Sequence, residues 1–197
     1  SSLPLREKML VWHLYQAAIA GRDIFYDQRY AHSLDMRAVI EAVIRYPGGV
    51  DAATLAEIQR YTKLFWLNTG PYNNLTARKF VLKCTPDAFA QAAGQAGKSG
   101  ARFRLKSGES LDQKLTRLRP MFFDLEFDPV VTSKTPGPGR DILASSANNL
   151  YAGVTMADVE TFSEAHGLNS RLVKQNGHLV EEVYRLPMVP PREASRA

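Results

Sequence analysis

Ser33-Leu34-Asp35-Met36-Arg37-Ala38-Val39-Ile40-Glu41-Ala42-Val43-Ile44, closed by Pro47-Gly48-Gly49, sets the fold class, because its apolar residues return every three or four positions and nowhere alternate. Met36, Val39, Ile40, Val43 and Ile44 make one helical face, with Ser33 placed to cap the start. Upstream, Leu10, Leu14, Ala17 and Ala18 recur at the same spacing, and Trp12, Tyr15 and Ile19 widen the stripe. That reads as a strongly buried first helix from Leu5 to Ala20, stopped at Gly21, with His13 hydrogen-bonded inside it. Downstream, Asp51 opens a third helix whose Leu55, Ile58, Leu64, Phe65 and Trp66 point inward, broken by Asn68-Thr69-Gly70-Pro71.

Thr85 with Pro86 in the first turn starts a fourth helix reaching about Ala96, because a proline there loses no needed amide. Residues 97–108 read as an exposed connection with a brief strand around Phe103-Arg104-Leu105, and Ser110 to Phe122 as a helix. Pro129, Pro136 and Pro138 force Asp128 to Arg140 into an extended loop. Asp141 caps a short helix towards Ala147, and Thr155 with Asp158 caps another that ends at Gly167. Then the period changes: Leu172-Val173 and Leu179-Val180 flank Asn176-Gly177, a strong hairpin signal. The expectation is a mainly α (α+β) domain over residues 1–186 with a C-terminal β-hairpin, followed by a proline-rich, frayed tail over 187–197.

Of the 197 residues, 45% are apolar, 10% aromatic and 23% charged, which excludes disorder as the dominant state. Cys84 is the one cysteine, so no internal disulfide forms, which fits a reducing, cytoplasmic setting. No apolar run reaches the roughly 20 residues of a membrane span, so no membrane partner is expected. The chain begins at Ser1 without an initiator methionine and reads as a processed protein or an excised piece whose targeting segment, if any, has gone. The net charge of +5 suits anionic partners only if clustered, and along the chain it is mostly spread out.

His13, His32, His166 and His178 are scattered with no paired-ligand spacing, so no metal site is read from this chain. Thr135-Pro136-Gly137-Pro138-Gly139-Arg140-Asp141 lacks the lysine ending of a phosphate loop and reads as structural. Ser145, Ser146 and Cys84 have no assignable base. Asp124, Glu126 and Asp128 alternate beside Phe122, Phe123 and Phe127, a packed corner with its acids turned to water. Arg22, Arg29 and Arg37 with Phe25, Tyr26 and Tyr30 have the composition of a nucleic-acid patch. Asp23, Asp27 and Asp35 nearly cancel them, so the preferred reading is a half-buried network pinning the first two helices, with no nucleic-acid partner.

Several stretches resemble the N-terminal region of the dipeptidyl peptidase III family, zinc-dependent exopeptidases that remove dipeptides from peptide N-termini, particularly its bacterial and plant branches. They are Gly21-Arg22-Asp23-Ile24 with Tyr26-Asp27-Gln28, and Trp66-Leu67-Asn68-Thr69-Gly70-Pro71-Tyr72 leading to Lys79-Phe80. They continue in Gly139-Arg140-Asp141-Ile142-Leu143, Ser146-Ala147-Asn148-Asn149-Leu150-Tyr151, Gly153-Val154-Thr155 and Gly167-Leu168-Asn169-Ser170-Arg171-Leu172-Val173-Lys174. These blocks run in family order from about Leu5 to Leu186.

The resemblance implies a two-lobed protein around a wide cleft, with zinc held in the upper lobe by a His-Glu-x-x-Gly-His motif and a later glutamate. Neither occurs here, and Glu181-Glu182 lacks the family ending, so no ligand role is transferred and no cofactor is assigned to this chain. Its implied place is part of the lower, non-catalytic lobe, inactive alone, with the downstream catalytic lobe and a peptide substrate as partners. Asn68 to Leu75 corresponds to a family loop facing the cleft, making Tyr72, Asn73, Asn74 and Leu75 the candidate peptide contacts; the same residues also read as an ordinary helix-ending loop. After Arg185-Leu186 the sequence departs from the family into Pro187-Met188-Val189-Pro190-Pro191. Surface normally covered by the missing parts implies self-association. The rival reading is a stand-alone peptide-binding or scaffolding protein that keeps the lobe without its chemistry. An anion-binding module is a third, and requires a clustered basic face.

Overall fold

The computed structural model describes residues 3–185, so the tail read over 187–197 lies outside the described residues. Six helices are present among them: α1 (Leu5–Arg29), α2 (Ser33–Arg45), α3 (Ala52–Asn68), α4 (Pro86–Lys98), α5 (Leu111–Phe123) and α6 (Met156–Thr161). The strands β1 (Tyr151–Ala152), β2 (Ser170–Gln175) and β3 (His178–Val183) form one small sheet in the order β1-β2-β3. The protein is a mainly helical α+β domain with a C-terminal hairpin.

The core is the meeting of four helix faces. Met36, Val39, Ile40 and Val43 of α2 are wholly enclosed, as are Ile58, Tyr61 and Phe65 of α3. Phe89, Ala92, Ala93 and Ala96 of α4 and Leu118, Met121 and Phe122 of α5 close the same cluster. Their starts are fixed locally: the Asp51 carboxylate accepts the Thr54 amide, Thr85 Oγ accepts that of Ala88, and Ser110 with Gln113 forms a capping box. Asn176 and Gly177 both have positive φ, 50° and 80°, the geometry of a two-residue hairpin turn that leaves Val173 opposite Val180.

Several expectations are corrected. First, α1 runs through Gly21 to Arg29 and its first 16 residues are exposed, His13 included. Its stretch from Met9 to Ala20 is dense in apolar residues, which looks like burial in a sequence, but only the last turns of the helix meet the core, where Tyr26 stacks on Phe65 with ring centroids 5.9 Å apart. Second, Ser33 is the first residue of α2, and the cap position is held by His32 in an αR conformation that makes no side-chain capping bond. Third, Trp66 faces outward and donates through Nε1 to Glu41 at 2.9 Å, while Phe65 takes the inward place.

Fourth, Asp141 caps a turn and no helix. Its Oδ1 accepts the Leu143 and Ala144 amides, and the chain then extends so that Ala147 and Asn148 donate to the carbonyls of Val130 and Val131. Likewise α6 ends at Thr161, well before Gly167, because the Glu181 carboxylate takes the amides of Ala165 and His166. Residues 97–108 hold no strand, and the parallel partner β1 joins the hairpin beside Leu172 and Val173.

Two charge clusters bind the helices. Arg37 donates to Asp23 at 2.9 Å with its guanidinium 4.6 Å above the Tyr26 ring, so the pinning network between α1 and α2 is present. Asp35 works elsewhere: it accepts from Lys114 at 2.7 Å and from Arg117 at 3.0 Å, tying α2 to α5. Lys114 is only 1% exposed and spends a second donor on the Arg104 carbonyl. Burial opposes the Asp35 carboxylate, but the bonds and charges of Lys114 and Arg117 outweigh it and hold the carboxyl below its usual range.

Asp35→Asn leaves the buried Lys114 ammonium without its counter-charge and lowers unfolding free energy by about 2–3 kcal/mol, measured by urea denaturation at neutral pH. Because the folded carboxyl titrates below the unfolded one, its contribution is intact above about pH 4 and fades as pH falls through the lower folded value. The Asn variant therefore shows a shallower loss of stability in acid; an unchanged acid limb removes Asp35 from that role.

Candidate functional site

The candidate segment begins where α3 stops. Thr69 turns left-handed at φ 52°, Gly70 follows at φ 135°, and the Gly70 amide donates to the Phe65 carbonyl at 2.9 Å. A Cβ on Gly70 would lie 3.2 Å from Ser33 Oγ and 4.0 Å from Arg29 Nε, two buried groups that have no hydrogen-bond partner. Gly70 is thus required both by its backbone and by its close approach to α1 and α2.

Tyr72 is 0% exposed, so it is an internal anchor and not a surface contact, which corrects its place among the candidate peptide contacts. Its hydroxyl donates to the Asp128 carbonyl at 2.8 Å, its ring lies edge-on to Tyr30 at 5.2 Å, and its own carbonyl accepts from Arg29 Nη2 at 3.1 Å. Tyr30 donates to the Asp128 carboxylate at 2.8 Å, so this acid faces inward, against the expectation that all three corner acids meet water. Burial, then the neighbouring tyrosine and Asp128, push the Tyr30 hydroxyl far above its ordinary value, so it stays a neutral donor. Burial likewise raises Tyr72.

Tyr72 pairs across a short antiparallel bridge with Lys79, whose ammonium enters the corner after α5 and donates to the carbonyls of Pro120 (3.2 Å), Asp124 (2.8 Å) and Phe127. Burial lowers the Lys79 pKa, and the charges of Asp128 and Asp124 oppose that shift.

Between these two anchors residues 73–78 form a tight loop. Asn73 closes it with its own side chain, whose Oδ1 accepts the Leu75 and Thr76 amides at 2.9 and 3.0 Å. The Asn74 amide donates to Asn68 Oδ1 at 2.9 Å, joining the loop to the end of α3. Leu75 is the tip, 93% exposed. The segment 129–131 runs alongside through the bonds of Lys79 N–H to the Pro129 carbonyl and Val131 N–H to the Ala77 carbonyl. The space between the two is a cleft of about 450 Å³ reached by Arg29, Asn73, Asn74, Leu75, Arg78 and Lys134. Of the four candidates the structure therefore brings Asn73, Asn74 and Leu75 to one open cleft. Arg78 and Lys134 were missed because no motif marks a lone surface cation, and Arg29 was assigned to helix pinning alone.

A second polar cluster fixes the hairpin to α1. Asn149 donates from its backbone to the Gln28 carbonyl at 2.9 Å and from its side chain to the Asp27 carbonyl at 3.0 Å. Gln28 Nε2 donates to the Ser170 carbonyl, Arg171 to Asn149 Oδ1, and the Tyr184 hydroxyl to Asp27 Oδ2 at 2.6 Å.

The remaining chemical candidates are accounted for by structure. Ser146 Oγ donates to the Ile142 carbonyl and accepts the Ser133 amide. Burial, and secondarily Glu57, raises the Cys84 thiol pKa, keeping it protonated. Among the described residues no three His, Cys, Asp or Glu side chains meet as a metal would need, so these residues do not fit a zinc ion and no metal step is assigned to them. No described helix is long and apolar enough to cross a membrane. Compared with known proteins, the chain matches no family model, and no curated protein shows significant sequence similarity to it.

Tyr72→Phe leaves the Asp128 carbonyl without its donor and costs about 1–2 kcal/mol in urea unfolding. Gly70→Ala combines a left-handed backbone with the close approach to Ser33 and costs about 1–3 kcal/mol, while Leu75→Ala is neutral within about 0.5 kcal/mol. A Gly70→Ala protein as stable as the parent would show that the α3 exit does not depend on the glycine.

Proposed function

We propose that this chain is the N-terminal, non-catalytic portion of a dipeptidyl peptidase III-like zinc metallopeptidase, supplying scaffold and one wall of a peptide-binding cleft in a cytoplasmic enzyme. The observation that carries the reading is where the resembling blocks go. Tyr26-Asp27-Gln28, Asn148-Asn149-Leu150 and Ser170-Arg171 lie more than a hundred residues apart in sequence at their extremes, yet they bond directly to one another. The block ending in Pro71-Tyr72 joins the same helix through Arg29. The resembling blocks thus form one connected network at the α1–hairpin junction.

Two further features support it. The loop 73–78 is held rigid at both ends and offers an apolar tip, Leu75, over an open cleft, the arrangement by which a scaffold presents a binding loop. The first turns of α1 expose Leu5, Leu10, Trp12, Leu14 and Tyr15, an apolar face that no other described element covers. In the proposed assembly that surface meets further chain, and in isolation it drives self-association. Catalysis belongs to the partner lobe, and this portion is inactive alone.

The 197-residue chain, given a short peptide and one equivalent of zinc, releases no dipeptide above a chelator-treated control, yet the peptide shifts the amide resonances of Asn74 and Leu75. Chelator-sensitive turnover, or a peptide that leaves those resonances still, counts against the proposal. In sedimentation velocity the chain associates with rising concentration, and Leu10→Glu combined with Leu14→Glu returns it to monomer; a parent that stays monomeric removes α1 as an association surface.

A further inference from the structure

The cleft beside the loop 73–78 has an unbalanced charge. Arg29 at the end of α1, Arg78 at the end of the loop and Lys134 on the facing segment all line it, and no carboxylate does. None of the three is in an ion pair among the described residues, so all three cations are left to the cleft; the paired arginines, among them Arg37, Arg60, Arg117 and Arg171, lie elsewhere. Asp27, two residues before Arg29, accepts from Tyr184 and Asn149, and Asp128, six residues before Lys134, accepts from Tyr30. Arg29 is half-buried and held in place by one bond to the Tyr72 carbonyl, and its Nε is out of water with no acceptor. The backbone amides of Thr132 and Lys134 also donate to no protein group among the described residues.

A concave site carrying three cations and no carboxylate selects an anion, because a fixed guanidinium offers a carboxylate paired, charge-assisted bonds. Leu75 and Val130 add apolar wall, and the volume admits several residues of an extended chain, so the anion belongs to a peptide and not to a bare inorganic ion. We infer that this cleft receives a carboxylate of the bound peptide on Arg29, Arg78 and Lys134, either an acidic side chain or the free C-terminus. The inference rests on the peptide-binding reading above and adds the chemistry by which the peptide is chosen.

Titration calorimetry at low salt with the full chain and four pentapeptides tests it. One pair differs by an internal Glu or Gln, the other by a free or amidated C-terminus. The acidic member of at least one pair binds about tenfold more tightly, as a charge-assisted bond requires, and which pair responds identifies the source of the carboxylate. Arg78→Gln with Lys134→Gln, both at exposed positions where stability is unaffected, abolishes that preference. Equal binding within both pairs overturns the inference and leaves peptide binding standing. Binding of none of the four overturns both, and a preference that survives the double variant overturns the assignment to these cations.

Discussion

Asp128 is the point on which the molecule turns. Its carboxylate takes the Tyr30 hydroxyl from the end of α1, and its carbonyl takes the Tyr72 hydroxyl from the loop after α3. Its backbone sits at φ 50°, a left-handed conformation that an aspartate tolerates better than most residues, and this bend lets one residue face both tyrosines. Three segments distant in sequence thereby share one buried polar joint. The rigidity of the loop 73–78 follows, since both ends are clamped on the corner after α5.

What the sequence made legible was what is decided within a few residues. The helix starts at Asp51, Thr85, Ser110 and Thr155, the break at Pro71 and the Asn176-Gly177 turn all act on their immediate neighbours, and each is found where the residues place it. The apolar faces of α2, α4 and α5 have the same local origin. Local marks fail at Gly21, Ser33 and Asp141, and the larger failures come from surroundings. A helix dense in apolar residues, such as the start of α1, has no local mark saying whether anything covers it, and a tyrosine in a loop, Tyr72, carries no mark of which side its ring will take.

Lys79 and Lys114 illustrate the same limit from the opposite direction. Composition assigns lysines to water, yet both are buried because acceptors from distant segments converge on them: three carbonyls for one, Asp35 and the Arg104 carbonyl for the other. The cationic cleft was illegible for that reason too. Arg29, Arg78 and Lys134 come from three separate stretches, and only the fold puts them on one opening.

The Lys79 ammonium has a further consequence. The carbonyls it binds belong to Pro120 and Asp124 at the closing turn of α5 and to Phe127 just beyond, so a charge carried on the β-bridge after α3 sits at the negative pole of the α5 dipole. Helix ends usually find such compensation from their own last turn, but α5 has no basic residue there. The helix borrows its terminal cation from the segment that carries the candidate loop. A force that lifts Lys79 outward therefore exposes the helix pole at the same moment, and the loop's position and the integrity of the α5 terminus become one electrostatic quantity.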